Sequence, residues 1–237
     1  MADLTVIFGA TGGLGTAVVD AFAKRGDRII AVARNRAAVS ELATKYPLSP
    51  SPSGGGQGGG VTGDTADMTS RQDVDELWER IDRVGVPRWV VNTIGGYRGG
   101  KVVDTTPDDF TAMMDLNLGS TWWSCRAAAR RMQDGGIVNV SSRSGLVTEP
   151  GAAAYAIAKA GVIKLTEVLA AELKASGVRV NVVVPVLIDT PENQKSLPEK
   201  LMQKAVAPAE IATVILYLCS DAAAAITGAA VPVYGKF

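Results

Sequence analysis

A glycine-rich turn between a strand and a helix is the feature of this sequence that most limits its fold. Residues Leu4–Phe8 form a short apolar run that predicts a buried strand, and Gly9-Ala10-Thr11-Gly12-Gly13-Leu14-Gly15 follows at once. A helical pattern then continues to Arg25 and ends at Gly26. Small residues let a backbone approach a pyrophosphate closely, and the N–H groups at the start of a helix attract the anion. We therefore expect a nucleotide at this turn, with a tight turn that binds nothing as the alternative.

Strands and helices alternate along the rest of the chain, and strands separated by helices pair in parallel through right-handed crossovers. The 237 residues are enough for one large core. We expect a single α/β domain over residues 1–237, a Rossmann-type doubly wound fold with a mostly parallel central sheet of about seven strands. The predicted strands cover residues 4–8, 28–33, 61–66, 89–93, 137–141, 178–184 and 231–233, and the predicted helices include 37–46, 152–176, a short helical segment within 197–207, and 209–219.

Residues 47–60 interrupt this alternation with prolines, serines and glycines. Such a composition cannot bury a core and favours a mobile backbone. The segment is too short to link two domains, and the alternation resumes after it. We therefore predict a flexible surface loop between a helix and the next strand, with a flap near a bound adenosine as the alternative.

The charge balance and the cysteines limit the partners and the location of the protein. Lysine and arginine total 24, as do aspartate and glutamate, so the chain lacks the positive charge typical of a nucleic-acid binder. No apolar run approaches the roughly 18 residues of a membrane span, and the N-terminus lacks the basic start of a signal peptide. Cys125 and Cys219 lie in apolar, helix-like surroundings that favour buried, reduced thiols. We expect a cytoplasmic protein without nucleic-acid or membrane partners.

The sequence contains no histidine. Ser-His-Asp hydrolysis, imidazole acid–base catalysis and histidine-ligated metal sites are therefore excluded. Any proton transfer must use tyrosine, lysine, cysteine, carboxylates or water, and no metal site is predicted.

The end of the second predicted strand indicates which nucleotide would bind. NAD-binding βαβ units often place an acidic residue there to hold the ribose 2′-hydroxyl. Here Ala33 is followed by Arg34, Asn35 and Arg36, and a cation can pair with a 2′-phosphate. The sequence favours NADP(H) over NAD(H), with two solvated arginines at a helix start as the alternative.

A serine, a tyrosine and a lysine form the candidate proton-transfer site. Ser142 closes the apolar run 137–141, Tyr155 follows thirteen residues later, and Lys159 lies four residues beyond it. Tyr155 and Lys159 share one face if the segment is helical. An ammonium group near a phenol lowers the phenol's pKa, so we expect Lys159 to make Tyr155 a usable proton donor and acceptor. Chance spacing on a helix is the alternative.

Two further features are expected near these residues. Asn117 lies in an apolar stretch of a long helix that begins near Pro107, and a buried amide must be hydrogen-bonded. The glycines of residues 95–100 follow the strand predicted at 89–93, where they allow a ligand to approach the carboxyl end of a parallel strand. Arg98 within this run is a candidate contact for an anionic substrate group.

These motifs resemble those of the short-chain dehydrogenase/reductase family over essentially the whole chain. The family's Thr-Gly-x-x-x-Gly-x-Gly fingerprint corresponds to Phe8 through Gly15, and its Asn-Asn-Ala-Gly motif to Asn92 through Gly95. Its Pro-Gly motif has become Pro185-Val186, which removes a glycine beside the nicotinamide. Together with the arginine argument, the resemblance implies a cofactor site made of Gly9, Thr11, Gly12, Gly13, Leu14, Gly15, Arg34, Asn35, Asp67, Met68, Asn92, Gly95, Tyr155, Lys159, Pro185, Ile188 and Thr190.

The resemblance also implies a catalytic set of Asn117, Ser142, Tyr155 and Lys159. Tyr155 is expected to exchange a proton with the substrate oxygen, and Ser142 to stabilise that oxygen by a hydrogen bond. Lys159 is expected to hold the nicotinamide ribose and Asn117 to position a water for proton relay. A homodimer or homotetramer is implied as well.

We therefore expect an NADP(H)-dependent oxidoreductase that transfers hydride between the nicotinamide and a small or medium carbonyl or alcohol. Two alternatives stay open. Residues 95–100 and 187–196 are similar to segments of dihydropteridine reductases, which act on a quinonoid pterin, although Ser142 favours carbonyl and 3-oxoacyl reductases. The other alternative is a non-catalytic NADP-binding regulator or scaffold, against which the presence of both Tyr155 and Lys159 argues.

Overall fold

A computed structural model describes residues 2–49 and 58–236. Within these residues the strands form one seven-stranded sheet of order β3-β2-β1-β4-β5-β6-β7, in which every neighbouring pair is parallel. The strands are β1 (Leu4–Phe8), β2 (Arg28–Ala33), β3 (Gly60–Thr65), β4 (Trp89–Asn92), β5 (Gly136–Val140), β6 (Arg179–Pro185) and β7 (Ala230–Val233). The Rossmann-type α/β fold predicted from the sequence is confirmed.

Helices connect the strands and lie on both faces of the sheet. In the described residues they are α1 (Gly13–Arg25), α2 (Arg36–Lys45), α3 (Arg71–Asp82), α4 (Pro107–Met114), α5 (Ser120–Ala129), α6 (Ala153–Glu172), α7 (Pro191–Ser196), α8 (Glu199–Met202) and α9 (Pro208–Leu218). None of the helices in residues 2–49 and 58–236 is long and apolar enough to cross a membrane.

Two apolar layers hold the helices on the sheet. On one face, α3, α5 and α6 pack on the strands, and Trp78 lies against Phe8 with ring centroids 6.1 Å apart. On the other face, α1, α2 and α9 pack through residues such as Phe22 and Ile215. All residues of β1 and β4 are buried, as expected for parallel strands that are covered on both sides. Because all the strands are parallel, their carboxyl ends lie at one edge of the sheet.

The long helix predicted from Pro107 is divided in the structure. A π-helical turn, Asp115–Gly119, separates α4 from α5. The Asn117 side-chain amide donates to the carbonyl of Met113, four residues earlier, which in an α-helix would accept the backbone N–H of Asn117. The side chain thus competes for the backbone acceptor, and the helix widens by one residue there.

The segment after β6 also differs from the prediction. Residues 191–196 form α7, and only Glu199–Met202 is α-helical within the segment 197–207. The side chain of Thr190 accepts a hydrogen bond from the N–H of Asn193, and Pro191 occupies the first turn. A capping threonine before a proline is a strong helix start, although no helix was predicted over these residues.

Part of the predicted loop at 47–60 lies outside the described residues, namely 50–57. At its two ends, Ser49 N–H donates to Gly59 O and Gly58 N–H donates to Ser49 O, each at 2.9 Å. Gly60, assigned to the loop from the sequence, is the first residue of β3. Its φ of 145° and the close approach of Leu48 require glycine.

Candidate active site

The predicted catalytic residues meet at the carboxyl edge of the sheet. Ser142 follows β5, whereas Tyr155 and Lys159 lie on the first two turns of α6. Asn117 reaches the same place from the π-helical turn, since a Cβ atom built on Gly95 would lie 2.9 Å from both Asn117 Oδ1 and Lys159 Nζ. The structure therefore brings together four residues that are up to 42 positions apart in the chain.

Tyr155 lies between Ser142 and a second tyrosine. Its ring meets the ring of Tyr97 edge to face, with centroids 5.1 Å apart and an interplanar angle of 79°. Burial raises the pKa of Tyr155, a side-chain hydrogen bond with Ser142 lowers it, and Tyr97 raises it further. The net direction is upward. A phenol with a raised pKa stays protonated near neutral pH and is a proton donor.

The sequence prediction that Lys159 lowers the pKa of Tyr155 is therefore wrong for this structure. Lys159 is only 4% exposed, and its Nζ lies 5.9 Å from the centroid of the Tyr155 ring. Its hydrogen bond goes to the carbonyl oxygen of Val140, at 3.1 Å. Burial lowers the pKa of the amine itself to about 8, because an ammonium loses hydration there.

Asn117 is fully buried and hydrogen-bonded, as predicted. Its Nδ2 donates to Gly96 O and its Oδ1 accepts from Gly96 N–H, at 3.1 and 3.2 Å. This two-way contact fixes the glycine run after β4 against the π-helical turn. The Asn117 side chain therefore lies near Lys159 and also holds the backbone of Gly96 in place.

The turn after β1 has the geometry of an anion site. Gly9 adopts a φ of 78°, and Gly12 N–H donates to Gly9 O at 3.0 Å. A Cβ atom on Gly15 would lie 2.0 Å from Gly9 O, so only glycine fits this approach of helix and turn. Gly12 precedes α1 and has no side chain to cap it, and Gly13-Leu14-Gly15 carries no acid. The N–H groups at this helix start therefore suit a pyrophosphate.

The segment after β6 closes over this turn. A Cβ atom on Gly13 would lie 2.6 Å from Thr190 Cγ2 and 3.7 Å from Glu192 Oε2. Ile188, just before, pairs with Val206 in an isolated bridge, and Pro185 is the buried end of β6. Thr190 and Gly13, both predicted cofactor residues, are thus neighbours in space.

The predicted adenosine residues lie beyond the ends of β2 and β3. Arg34 is exposed and is close enough to Asp67 to lower its pKa, although the Asp67 hydrogen bonds with Thr69 have the larger effect. The side-chain oxygen of Asn35 accepts from Ala38 N–H and caps α2. The Met68 side chain belongs to the hydrophobic core, so a nucleotide could meet only its backbone.

Asn92 is a predicted cofactor residue whose side chain is hydrogen-bonded within the core. Its Nδ2 donates to Asn139 Oδ1 at 2.7 Å, and Asn139 Nδ2 donates to Thr166 Oγ1 at 2.9 Å. All three residues are buried. The chain from Asn92 to Thr166 ties β4, β5 and α6 together, a structural role that the sequence motif did not reveal.

Two contacts near Tyr155 were not predicted. The Tyr97 ring covers Tyr155, and Arg98 forms an ion pair with Asp109 of α4. Arg98, a candidate contact for an anionic group, is therefore already neutralised. Within the described part of the chain, no three side chains of the Cys, Asp and Glu types gather as metal ligands do.

Fold and site together define a nucleotide-dependent α/β oxidoreductase, and comparisons with known proteins agree. The family model described as enoyl-(acyl carrier protein) reductase matches residues 9–235. The 3-oxoacyl-[acyl-carrier-protein] reductase FabG of Thermotoga maritima is 32% identical over 97% of this chain and 95% of its own. D-threitol dehydrogenase of Mycolicibacterium smegmatis is 31% identical over 99% of this chain and 92% of its own.

A solved structure gives the same result. The 3-oxoacyl-[acyl-carrier protein] reductase of Brucella melitensis matches with a TM-score of 0.86 and 31% identity, over 99% of this chain and 91% of that one. The chain belongs to the short-chain dehydrogenase/reductase family, and it is an NAD(P)-dependent enzyme.

Proposed function

We propose that the protein is an NADP(H)-dependent reductase of small or medium carbonyl compounds, with Tyr155 as the general acid and base. The observation that carries this proposal is the meeting of Tyr155 and Ser142 with the buried amine of Lys159 at the carboxyl edge of the sheet. Ligands of doubly wound folds bind at that edge. The proposal also takes residues 1–237 as a single domain.

Tyr155 donates the proton in this mechanism. When bound, a nicotinamide would supply hydride to the carbonyl carbon of the substrate, and the substrate oxygen would then carry negative charge. Tyr155 gives its phenolic proton to that oxygen, and the hydroxyl of Ser142 donates a hydrogen bond to the same atom. The raised pKa of Tyr155 keeps the phenol protonated before the reaction. In alcohol oxidation the proton moves the other way.

Lys159 and Asn117 assist Tyr155 without contacting the substrate oxygen themselves. The pKa of Lys159, lowered to about 8, lets the amine exchange protons near neutral pH, so it can restore the Tyr155 proton. Its place next to Gly95 suits a contact with the nicotinamide ribose. Asn117 holds Gly96 in position and faces the amine, where a water for proton relay would bind.

The preference for NADP(H) rests on Arg34. It is exposed beyond the end of β2, where an NAD enzyme often carries an acid. Replacing it by aspartate should weaken NADPH binding and spare NADH binding, as measured by titration of the cofactor's fluorescence. Lys45, an exposed cation at the far end of α2, gives a matched charge reversal. Equal affinities of the wild-type protein for the two cofactors would contradict the preference.

A 3-oxoacyl thioester is the second candidate substrate. Relatives named 3-oxoacyl-[acyl-carrier-protein] reductase and (3R)-3-hydroxyacyl-CoA dehydrogenase favour it, whereas D-threitol dehydrogenase favours polyols. Oxidation of NADPH should be followed with simple ketones, an acetoacetyl thioester and a quinonoid dihydropterin. A response to the pterin alone would favour a pterin reductase, and tight NADPH binding without any turnover would favour a regulator.

Tyr155→Phe is the direct test of the mechanism. This variant should lose turnover because it has no phenolic hydroxyl to donate a proton. It should keep its affinity for NADPH because the aromatic ring remains. Tyr217→Phe, on α9, is the matched control. Retained turnover in Tyr155→Phe would remove Tyr155 from the reaction.

We also propose a cytoplasmic homodimer or homotetramer. Large apolar side chains are exposed on α5 and α6, with Trp122 48% and Ile157 55% exposed. A second copy of the chain that packs on these two helices would bury both side chains. Light scattering should give a mass of two or four chains, and Ile157→Glu should lower it.

A further inference from the structure

Tyr97 is a large aromatic residue that stays open to solvent beside the proposed proton donor. It is 68% exposed, although its ring and the ring of Tyr155 meet edge to face with centroids 5.1 Å apart. Edge-to-face pairs of this kind are favourable beyond the area that they bury. One side of Tyr97 thus contacts Tyr155, and the other side is free for a ligand.

The loop that carries Tyr97 is held at both ends. On one side, Gly96 exchanges two hydrogen bonds with the Asn117 side chain. On the other side, Gly100 N–H donates to Gly151 O at 2.7 Å, and Gly100 pairs with Ala152 just before α6. The ring is therefore placed against Tyr155 by contacts to the π-helical turn and to the residues that lead into α6, the helix that carries Tyr155.

The arginines near this loop are neutralised. Arg98 is ion-paired with Asp109, and Arg143, next to Ser142, is paired with Glu149 at 3.1 Å. An anionic substrate would have to compete with Asp109 or Glu149 for these two arginines. An exposed ring with paired charges on either side is complementary to an uncharged, planar group.

We propose that Tyr97 is a positioning and specificity residue: its ring holds Tyr155 in place, and its open side stacks against an uncharged aromatic or conjugated carbonyl substrate. This rests on the proposed function for the identity of the reaction and names the substrate class of the same site. Tyr97 affects proton transfer only through Tyr155, and it selects substrates by direct contact.

The electrostatics of Tyr155 support the positioning role. The groups that face it are Tyr97 from the loop, Ser142 after β5 and Lys159 from its own helix. Burial has the largest effect in raising the pKa of Tyr155, and the neighbouring Tyr97 raises it as well. Removing the ring should therefore lower the pKa of Tyr155.

Two ketones of similar size, one with a planar ring and one without, distinguish stacking on Tyr97 from contact that depends on size alone. Phenyl methyl ketone offers a planar ring, and cyclohexyl methyl ketone offers a puckered one. The ratio of their kcat/KM values with NADPH should fall about two- to tenfold in Tyr97→Ala, the range expected for one aromatic pair. Tyr97→Phe keeps the ring and should keep the ratio. Tyr217→Ala, which removes a half-exposed tyrosine on α9, should leave it unchanged.

The titration of Tyr155 is the second readout and does not depend on turnover. Carbon-13 label in the tyrosine rings, assigned with Tyr155→Phe, reports the pKa by NMR. The pKa should be lower in Tyr97→Ala than in the wild type, and the acidity read from the pH profile of kcat/KM should move with it. An unchanged ketone ratio together with an unmoved titration overturns the proposal.

Failure of the proposed function gives a different result. A wild-type protein that reduces neither ketone nor any other carbonyl contradicts the reaction. If the Tyr155 titration still moves in Tyr97→Ala, the positioning role of Tyr97 is supported without the reaction. If it does not move, the proposal about Tyr97 is overturned as well.

Discussion

Lys159 donates a hydrogen bond of 3.1 Å to the carbonyl oxygen of Val140, which ties the buried amine to the last residue of β5. Burial lowers the pKa of this amine to about 8 from an ordinary 10.5. Between these two pH values the unfolded chain binds more protons than the folded one. The free energy of unfolding should therefore rise with pH through this window, and the full cost of burying the ammonium is present below it.

Lys159→Met tests this account through stability. The variant has no ammonium to bury, so it should be more stable than the wild type near neutral pH, by at most about 3.5 kcal/mol at about 1.4 kcal/mol per pKa unit. The difference should shrink as the pH is raised from 8 to 10.5. Urea unfolding at several pH values measures it.

The control for this experiment is Lys164→Met on the same helix. The Lys164 side chain is 73% exposed and carries no burial cost, so its variant should differ from the wild type by the same small amount at every pH. A parallel pH dependence in Lys159→Met and the wild type would contradict the lowered pKa of Lys159.

Gly13 and Gly15 should respond differently to a methyl group. At position 15 the added Cβ would lie 2.0 Å from backbone that cannot move aside, so Gly15→Ala should lose both stability and cofactor binding. At position 13 it meets the side chain of Thr190 at 2.6 Å, so Gly13→Ala should stay folded and bind NADPH more weakly. Thermal unfolding and fluorescence titration measure the two effects.

A second substitution makes the Gly13 test specific. Thr190→Ser removes the Cγ2 atom and keeps the hydroxyl that caps α7. The double variant of Gly13→Ala with Thr190→Ser should recover part of the lost affinity. Equal affinities of the single and the double variant would show that Thr190 does not restrain the turn.

The central strands and the first turn were predictable because their patterns are local. The residues of β1 are buried, and Gly12 and Gly15, which follow, both contact Gly9 a few positions earlier. The spacing of Tyr155 and Lys159 likewise placed both on α6. Short-range patterns therefore indicated the fold class and the Tyr155–Lys159 pair, whereas the rest of the candidate site was implied by the family resemblance.

Features that depend on distant contacts were not predictable in the same way. The π-helical turn exists where Asn117 bonds to Gly96, 21 positions away. The spacing of Lys159 from Tyr155 gave no indication that the amine would be buried and bonded to Val140, and this burial reverses the expected electrostatics. The role of Asn92 is set by Asn139, on the neighbouring strand.

The buried Asn92–Asn139–Thr166 chain should contribute strongly to stability. Asn139→Leu removes the acceptor for Asn92 Nδ2 and the donor to Thr166 Oγ1. Buried polar groups left unpaired cost about 1–3 kcal/mol each, so the variant should lose roughly 2–4 kcal/mol of unfolding free energy in urea. Val138→Leu is the control, because it places a larger apolar side chain at a buried position of the same strand without removing a hydrogen bond. A loss no larger than that of Val138→Leu would show that the hydrogen bonds contribute little.

Glu192 should weaken cofactor binding through its charge. Its Oε2 lies 3.7 Å from where a Cβ of residue 13 would be, at the positive end of α1. A carboxylate there interacts favourably with the helix dipole and repels a pyrophosphate at the same N–H groups. Glu192→Gln should therefore tighten NADPH binding by about two- to fivefold, the size of one charge at a helix end. The gain in NADPH affinity should become smaller in high salt, which screens the charge.

Glu199→Gln on α8 is the control and should bind NADPH with the affinity of the wild type. Unchanged NADPH affinity in Glu192→Gln at low salt would mean that this carboxylate does not compete with the pyrophosphate.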